Sequence, residues 1–164
     1  MRRVRLLCAV FGLTAAAFAS EAPPVGQPIP FSHRQHATVA HLKCGDCHKL
    51  APSGEVLSIP KGKTCMACHS QIGADTPGIR DLKEYLADNG RVPWVRVYEI
   101  PGFVEFSHRT HLEAGAKCET CHGAVATRDS LRRETDMSMG GCMSCHRTTG
   151  ASTSCHTCHS LEDE

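Results

Sequence analysis

The stretch Phe31–His48 reads F-S-H-R-Q-H-A-T-V-A-H-L-K-C-G-D-C-H, and its outline returns later in the chain. The opening F-S-H-R-Q-H at Phe31–His36 recurs as F-S-H-R-T-H at Phe106–His111, 75 residues further on. Each copy leads into a C-x-x-C-H motif, at Cys44–His48 and at Cys118–His122. Internal repeats set architecture, so the sequence predicts two related modules in tandem.

Five C-x-x-C-H motifs account for all ten cysteines after residue 20. C-x-x-C alone fits zinc, redox or haem chemistry, but C-x-x-C-H is the attachment signature of c-type haem. The cysteines are Cys44, Cys47, Cys65, Cys68, Cys118, Cys121, Cys142, Cys145, Cys155 and Cys158. The histidines that follow them are His48, His69, His122, His146 and His159. The sequence therefore predicts five covalently attached haems c.

The chemistry of haem attachment explains this spacing. Each thiol adds to one haem vinyl group, and residues three apart are neighbours on a helical turn. The histidine that follows then reaches the iron as the proximal ligand. Structural zinc typically uses two C-x-x-C pairs per metal, so five pairs would not divide evenly. A disulfide framework would suit a secreted chain but not the rigid C-x-x-C-H repeat.

Composition agrees with a chain that folds around cofactors. Of 164 residues, 41% are hydrophobic and only 5% aromatic, while glycine and proline total 23. This is a poor supply for a large apolar core, and burial of five porphyrin plates would replace it. The formal net charge of +1 argues against a nucleic-acid binder that relies on a basic field.

The N-terminus has the pattern of a secretory signal peptide, predicted to span residues 1–19. Arginines at positions 2, 3 and 5 precede the apolar stretch Leu6–Ala17, and Ala17-Phe18-Ala19 fits a cleavage site. Removal of the three arginines lowers the formal charge from +1 by three, to −2. An uncleaved N-terminal anchor is the alternative. We expect the mature chain in the periplasm, with membrane association through partners.

The motifs divide the mature chain into a dihaem module at 20–75, a linker at 76–102 and a trihaem module at 103–164. The linker is predicted to begin with a helix that has Thr76 as N-cap and Pro77 as its first residue, and that stops at Asn89-Gly90.

The second part of the linker, Val92–Pro101, is rich in strand-forming residues but carries proline near both ends. This pattern predicts an extended segment or an edge strand. Trp94 and Tyr98 are expected to cover haem faces, in preference to docking a partner.

Three features of the sequence resemble a known family. The F-S-H-x-x-H element ahead of C-x-x-C-H, the W-V-R-V-Y segment and C-M-x-C-H in motifs two and four carry the resemblance. They are similar to the class III multihaem cytochromes c, the c3 and c7 group, and to the periplasmic five-haem proteins of the cytochrome c3 family. The resemblance implies a c3/c7-like fold with little regular secondary structure and short α-helices around a haem core, in two tandem modules.

The resemblance also implies the distal iron ligands. In the family, the first histidine of H-x-x-H binds the nearest haem and the second binds the next one. Carried over, His33 serves the haem of His48, His36 that of His69, His108 that of His122, and His111 that of His146. The chain departs from four-haem c3 in having Lys49 after His48. It departs from three-haem c7 in having no histidine in 136–141.

For the fifth haem we expect Met139 as the sixth ligand, because it lies three residues before Cys142, close to where c7 has its histidine. Gly140-Gly141 would allow the backbone to turn tightly there. Met137 and His41 are the alternatives, and an open iron is the remaining one. His156 is expected to be solvated. Four lysines near the first two haems either balance propionates, guide an acidic partner or form a solvated face: Lys43, Lys49, Lys61 and Lys63.

Function follows from protein ligands on both sides of the iron, which leave no position for a substrate. We expect a non-enzymatic electron-transfer protein that relays electrons between periplasmic redox partners, with no nucleic acid and no small-molecule substrate. The alternatives are a haem-bearing subunit of a quinone-linked membrane oxidoreductase complex and a small multihaem reductase with one open haem. The C-x-x-C-K motif of pentahaem nitrite reductases is not present.

Overall fold

A computed structural model describes residues 22–160, so the predicted signal peptide lies outside the described residues. Six short α-helices follow one another: α1 (Cys44–Cys47), α2 (Gly62–His69), α3 (Pro77–Asn89), α4 (His108–Glu113), α5 (Cys118–His122) and α6 (Met139–Thr149). A π-helical turn covers Gln35–Val39, and 3-10 turns cover Val125–Thr127 and Cys155–Thr157. Residues 22–160 contain no strand, and one isolated antiparallel bridge joins Leu50 to Leu57.

The C-x-x-C-H motifs occupy helical turns, as their spacing requires. Helix α1 holds the two cysteines of the first motif, and α5 holds the whole third motif. The second motif forms the C-terminal half of α2, and the fourth lies inside α6. The fifth begins in the 3-10 turn Cys155–Thr157. Each turn brings the two thiols of a motif to the same side.

Helix α3 confirms the helix expected in the linker. Thr76 has extended backbone angles, Pro77 is the first helical residue and Gly90 ends the helix in the left-handed region at φ 65°. The Thr76 hydroxyl donates to the Gly73 carbonyl at 2.8 Å, and no side-chain cap forms. Leu82 is buried, and a Cβ added at Gly62 would collide with Leu86, so α3 packs closely against α2.

The segment 92–101 is irregular, so the edge strand does not form. Pro93 and Pro101 have no amide hydrogen to donate to a ladder. Instead the Gln27 side chain satisfies Val95: its Nε2 donates to the Val95 carbonyl at 2.9 Å, and its Oε1 accepts from the Val95 amide at 3.0 Å.

Side chains alone build almost no core. Among residues 22–160, only Ile29 and Leu82 are buried apolar residues. Large apolar side chains stay exposed, at 72% for Phe103 and 66% for Val39 and Ile72. Burial of apolar surface is the main favourable term in folding, so this chain requires apolar partners other than its own side chains. None of the described helices is long and apolar enough to span a bilayer.

Candidate haem-binding sites

The phenylalanine of each F-S-H-R-x-H copy lies between the two histidines of that copy. The Phe31 ring meets His33 edge-on at 4.8 Å and stacks on His36 at 4.5 Å. Phe106 makes the same contacts with His108 at 4.8 Å and His111 at 4.6 Å. The phenylalanine therefore sets the angle between two histidine rings that the resemblance assigns to two different haems.

The serine of each copy holds the second histidine. The Ser32 carbonyl accepts from His36 Nδ1 at 2.8 Å, and its hydroxyl accepts from the Gln35 amide at 3.0 Å. In the second copy, Ser107 accepts from His111 Nδ1 at 2.8 Å and from the Thr110 amide at 3.3 Å. The motif is thus a local device for aiming two imidazoles.

In seven of the nine histidines expected as iron ligands, Nδ1 forms a hydrogen bond with a backbone carbonyl. A carbonyl only accepts, so Nδ1 carries the proton and Nε2 keeps the lone pair that binds a metal. The pairs are His36 with Ser32, His48 with Ser58, His69 with Ile72, His108 with Glu55, His111 with Ser107, His146 with Ser152 and His159 with Phe103.

Three pairs of histidine rings lie at the separation that an intervening iron requires. Ring centroids are 6.4 Å apart for His108 and His122, and 6.0 Å apart for His36 and His69 and for His111 and His146. A metal–imidazole bond of about 2 Å puts two such rings roughly 6 Å apart across one metal. These residues fit bis-histidine haem, and the three pairs are those that the resemblance implies.

His33 and His48 belong to the fourth expected pair. Burial lowers the pKa of His33 to about 4, with smaller contributions from nearby His48 and His36. Burial also lowers the pKa of His122, followed by the effects of His108 and His48. The imidazoles of His33 and His122 are therefore neutral at pH 7, which is the form that coordinates iron.

None of the ten cysteines of the described region takes part in a disulfide. Burial is the main cause that raises the pKa of the thiols of Cys47, Cys65, Cys121 and Cys142. Within residues 22–160, no three His, Cys, Asp or Glu side chains converge on a compact ion site. The thiols thus stand in the pairs that thioether attachment uses, not in the groups of four that structural zinc uses.

A cavity of about 440 Å³ opens beside Cys65, between α2, α3 and the irregular segment. Ile59, Leu82 and Trp94 contribute its apolar wall, while Lys61 and Arg91 also line it. An apolar slot with basic groups suits a porphyrin with its propionates.

Tyr98 and Trp94 lie behind the histidine ligands. The Tyr98 ring meets His122 edge-on at 5.2 Å, and its hydroxyl accepts from the amides of Glu134 at 2.8 Å and Thr135 at 3.3 Å. The Trp94 ring meets Phe31 at 6.1 Å. Sequence reasoning did not predict these ring contacts or those of the motif phenylalanines, although the repeat itself was a signal for the latter. That Trp94 and Tyr98 cover haem faces stays a prediction.

The fifth motif docks on the segment that precedes α4. His159 Nδ1 donates to the Phe103 carbonyl at 3.1 Å, its ring stacks on Phe103 at 5.9 Å, and the Glu105 amide donates to the Cys158 carbonyl at 2.8 Å. Met139 begins α6 and is 68% exposed. The described contacts of His159 do not include it, so its ligation stays a prediction.

The remaining candidate residues differ from one another in solvent exposure. Met137 is half-buried beside Tyr98 and Arg133. His41 is exposed and has left-handed backbone angles, with φ 55°, and His156 is exposed. The nine histidines expected as iron ligands are all at least partly buried.

Paired imidazoles and paired cysteines on successive helical turns define a multihaem c-type cytochrome. The chain belongs to the family of cytochrome c7 and related cytochromes c, whose sequence profile matches residues 29–84 and 104–160, one match in each half of the chain. The resemblance drawn from the motifs is thereby confirmed, as is the fold of short helices in two tandem modules. Covalently bound c-type haem and electron transfer come with this family.

One relative of known function is similar to most of the chain. The chain is 30% identical, over 160 aligned positions, to the multihaem cytochrome c subunit of a menaquinone reductase from Nitratidesulfovibrio vulgaris strain Hildenborough. The alignment covers 81% of this chain and 76% of that subunit.

Proposed function

We propose that this protein is an exported electron relay with five covalently attached haems. The observation that carries the proposal is the set of paired imidazoles beside C-x-x-C-H turns, with ring centroids 6.0–6.4 Å apart in three pairs. Each haem, when bound, would supply a one-electron ferrous/ferric centre, and two protein ligands to its iron would leave no position for a substrate. Such sites transfer electrons without binding a substrate.

The roles of the residues follow from this proposal. The ten paired cysteines form the thioethers, and the histidine that ends each motif is the proximal ligand. The distal ligands are His33, His36, His108 and His111 for the first four haems, in the pairs given above, and Met139 for the fifth. The carbonyls on Nδ1 orient the imidazoles and hold the proton on the nitrogen away from the iron.

The relative suggests the setting. Because it is the multihaem subunit of a menaquinone reductase, we propose that this chain serves as the haem-bearing subunit of a quinone-linked membrane complex. It would face the periplasm and exchange electrons with redox protein partners there. Co-purification with membrane subunits from detergent-solubilised membranes supports this setting, and recovery of the holoprotein free of any membrane subunit contradicts it.

A small reductase with one open haem is the second candidate, and the fifth haem is where it would act. The His159 ring packs on Phe103, and its described ring contacts include no second histidine. Carbon monoxide distinguishes the two candidates, because it binds a reduced haem only where a position is free. No binding supports the relay, and one equivalent of carbon monoxide favours the reductase.

The haem count is the direct test. Intact mass of the exported protein, measured after acid denaturation, is expected to show five covalent haem additions. A variant that carries Cys155→Ser and Cys158→Ser is the matched control and is expected to show four. Fewer than four haems on the unmodified protein would contradict the proposal.

A further inference from the structure

The two modules dock on each other in a reciprocal way. We call the dihaem module at 20–75 module one and the trihaem module at 103–164 module two. The Arg109 amide of the second F-S-H-R-x-H copy donates to the Gly54 carbonyl in module one at 2.9 Å. The Arg34 amide of the first copy donates to the Arg128 carbonyl in module two, also at 2.9 Å. Arg34 and Arg109 are equivalent in the repeat, and Gly54 and Arg128 follow equivalent motifs at equal distance. Exchanged contacts of this kind define a pseudo-two-fold axis between the modules.

Module one thereby holds a histidine of module two. His108 Nδ1 donates to the Glu55 carbonyl at 2.7 Å, and the Ser107 hydroxyl donates to the Gly54 carbonyl at 3.3 Å. Arg109 adds a bond from Nη2 to the Pro52 carbonyl at 3.0 Å. With Nδ1 fixed in this way, the His108 ring lies nearly parallel to the His122 ring, 5° between planes.

The first motifs of the two modules lie beside the same axis. Gly54 and Arg128 each lie six residues after the histidine of the first motif in their own module. The exchanged amide–carbonyl bonds therefore bring each first motif beside the F-S-H-R-x-H copy of the other module.

Ring and backbone contacts place the other motifs on either side of this junction. The His36 ring of the first copy lies 6.0 Å from the His69 ring of the second motif, and the His111 ring of the second copy lies 6.0 Å from the His146 ring of the fourth. His146 Nδ1 donates to the carbonyl of Ser152, three residues before the fifth motif. The motifs therefore follow one another in space in the order second, first, third, fourth, fifth.

We propose that the five haems form a single file in this order, joined across the modules between the first and third haems, and that the Pro52–Glu55 loop of module one is the positioning segment for His108 at that junction. The proposal rests on the proposed function, because it assumes five bis-ligated or His/Met haems. One electron leaves a ferrous haem and reduces the ferric haem beside it, with no other change. External donors and acceptors then meet the second and fifth haems, at the two ends.

Gly54→Ala tests the positioning role in the five-haem protein. Gly54 has φ +83°, and an added Cβ would approach Arg109 Cβ to 2.8 Å, so the loop must shift under His108. We expect the electron paramagnetic resonance signal and the midpoint potential of one haem to change, namely the haem whose signal is lost in His108→Met. The control is Gly90→Ala, which has a similar φ of +65° with no atom within 4 Å of the added Cβ.

Each outcome of this test decides the positioning role. If Gly54→Ala matches Gly90→Ala, or if it alters only the haems of module one, the role is refuted. If Gly54→Ala fails to fold, Arg109→Ala replaces it, because this exposed side chain can be removed without strain. Arg109→Ala is expected to shift the same haem signal by a smaller amount, and an unchanged signal refutes the role.

His33→Met tests the order of the haems. It raises the potential of the first haem, which then carries an electron while its neighbours are still oxidised. In single file, the potentials of the second and third haems both fall, and those of the fourth and fifth do not. A change confined to the second haem overturns the junction while the mass still shows five haems. A lower haem count instead contradicts the proposed function.

Discussion

The two F-S-H-R-x-H copies have the same internal contacts but different anchors. In both, a phenylalanine lies between two histidines and a serine carbonyl holds the second one. The first copy continues into a π-helical turn, and its Arg34 pairs with the Asp129 carboxylate at 2.7 Å. The second forms an α-helix, and its Arg109 bonds to the Pro52 carbonyl. The residues shared by the two copies fix the inner contacts, whereas the docking loop of the other module determines the outer ones.

The largest expected effect comes from removing the second histidine of either copy. His36→Ala should open the haem of His69, and His111→Ala that of His146, with a rise in midpoint potential on the order of 0.1 V at one haem. Carbon monoxide should then bind one equivalent of reduced haem in each variant. Redox titration with spectra measures both effects.

His41→Ala is the matched control for the histidine variants, because His41 is exposed and its ring faces no other histidine in the described contacts. It should leave all potentials unchanged. If His36→Ala alters the same haem as His33→Ala, the expectation that the two histidines of a copy bind different haems is contradicted.

The next largest effect is expected at the fifth haem, which has no counterpart in module one. Met139→Ala should remove a His/Met charge-transfer band from the ferric near-infrared spectrum and lower the potential of one haem, because thioether ligation raises potentials. Met137→Ala should keep the band. A protein with only bis-histidine spectra would refute the methionine ligand.

Helix α3 packs on module one and has no counterpart packed on module two among the described residues. Leu82→Ala removes one of the two buried apolar side chains found among residues 22–160 and should lower the free energy of unfolding by about 2–4 kcal/mol. Ile79→Ala, on the same helix but only half-buried, should cost less. Denaturant titration followed by circular dichroism measures both, and equal losses would contradict the packing role of Leu82.

A smaller effect is expected at Tyr98, which supports His122 in module two. Tyr98→Phe keeps the ring against His122 but removes the acceptor of two amide hydrogen bonds, so stability should fall by about 1 kcal/mol. Tyr85→Phe is the control, because the described hydrogen bonds include none to its hydroxyl. An equal change in both variants would show that the Tyr98 hydroxyl contributes nothing.

The smallest effect separates the two arginine anchors. Arg34 and Asp129 form an exposed ion pair, so Arg34→Ala should lower the melting temperature at low salt and have almost no effect near 1 M salt. Arg109 bonds to an uncharged carbonyl, so the effect of Arg109→Ala should persist in salt. Thermal melts at two ionic strengths test this, and identical salt dependence would remove the distinction.

Local pattern was sufficient for much of the fold. The C-x-x-C-H spacing predicted helical turns, and Thr76-Pro77 with Asn89-Gly90 predicted the bounds of α3. These features depend on residues within one or two turns of each other, so the sequence carries them directly. The edge strand at 92–101 was not realised, because its prolines remove ladder donors and the Gln27 side chain satisfies Val95 instead.

The sequence by itself determined the cofactor class and contains the five C-x-x-C-H motifs, and through the family resemblance it predicted the pairing of histidines. Only the tertiary structure showed that Glu55 of one module holds His108 of the other, and that the loop after the first motif of each module docks on the F-S-H-R-x-H copy of the other. Spacing along the chain fixes which groups can share a turn. Contacts between residues more than 50 positions apart depend on how the loops of the two modules fit together, and no short-range pattern encodes that fit.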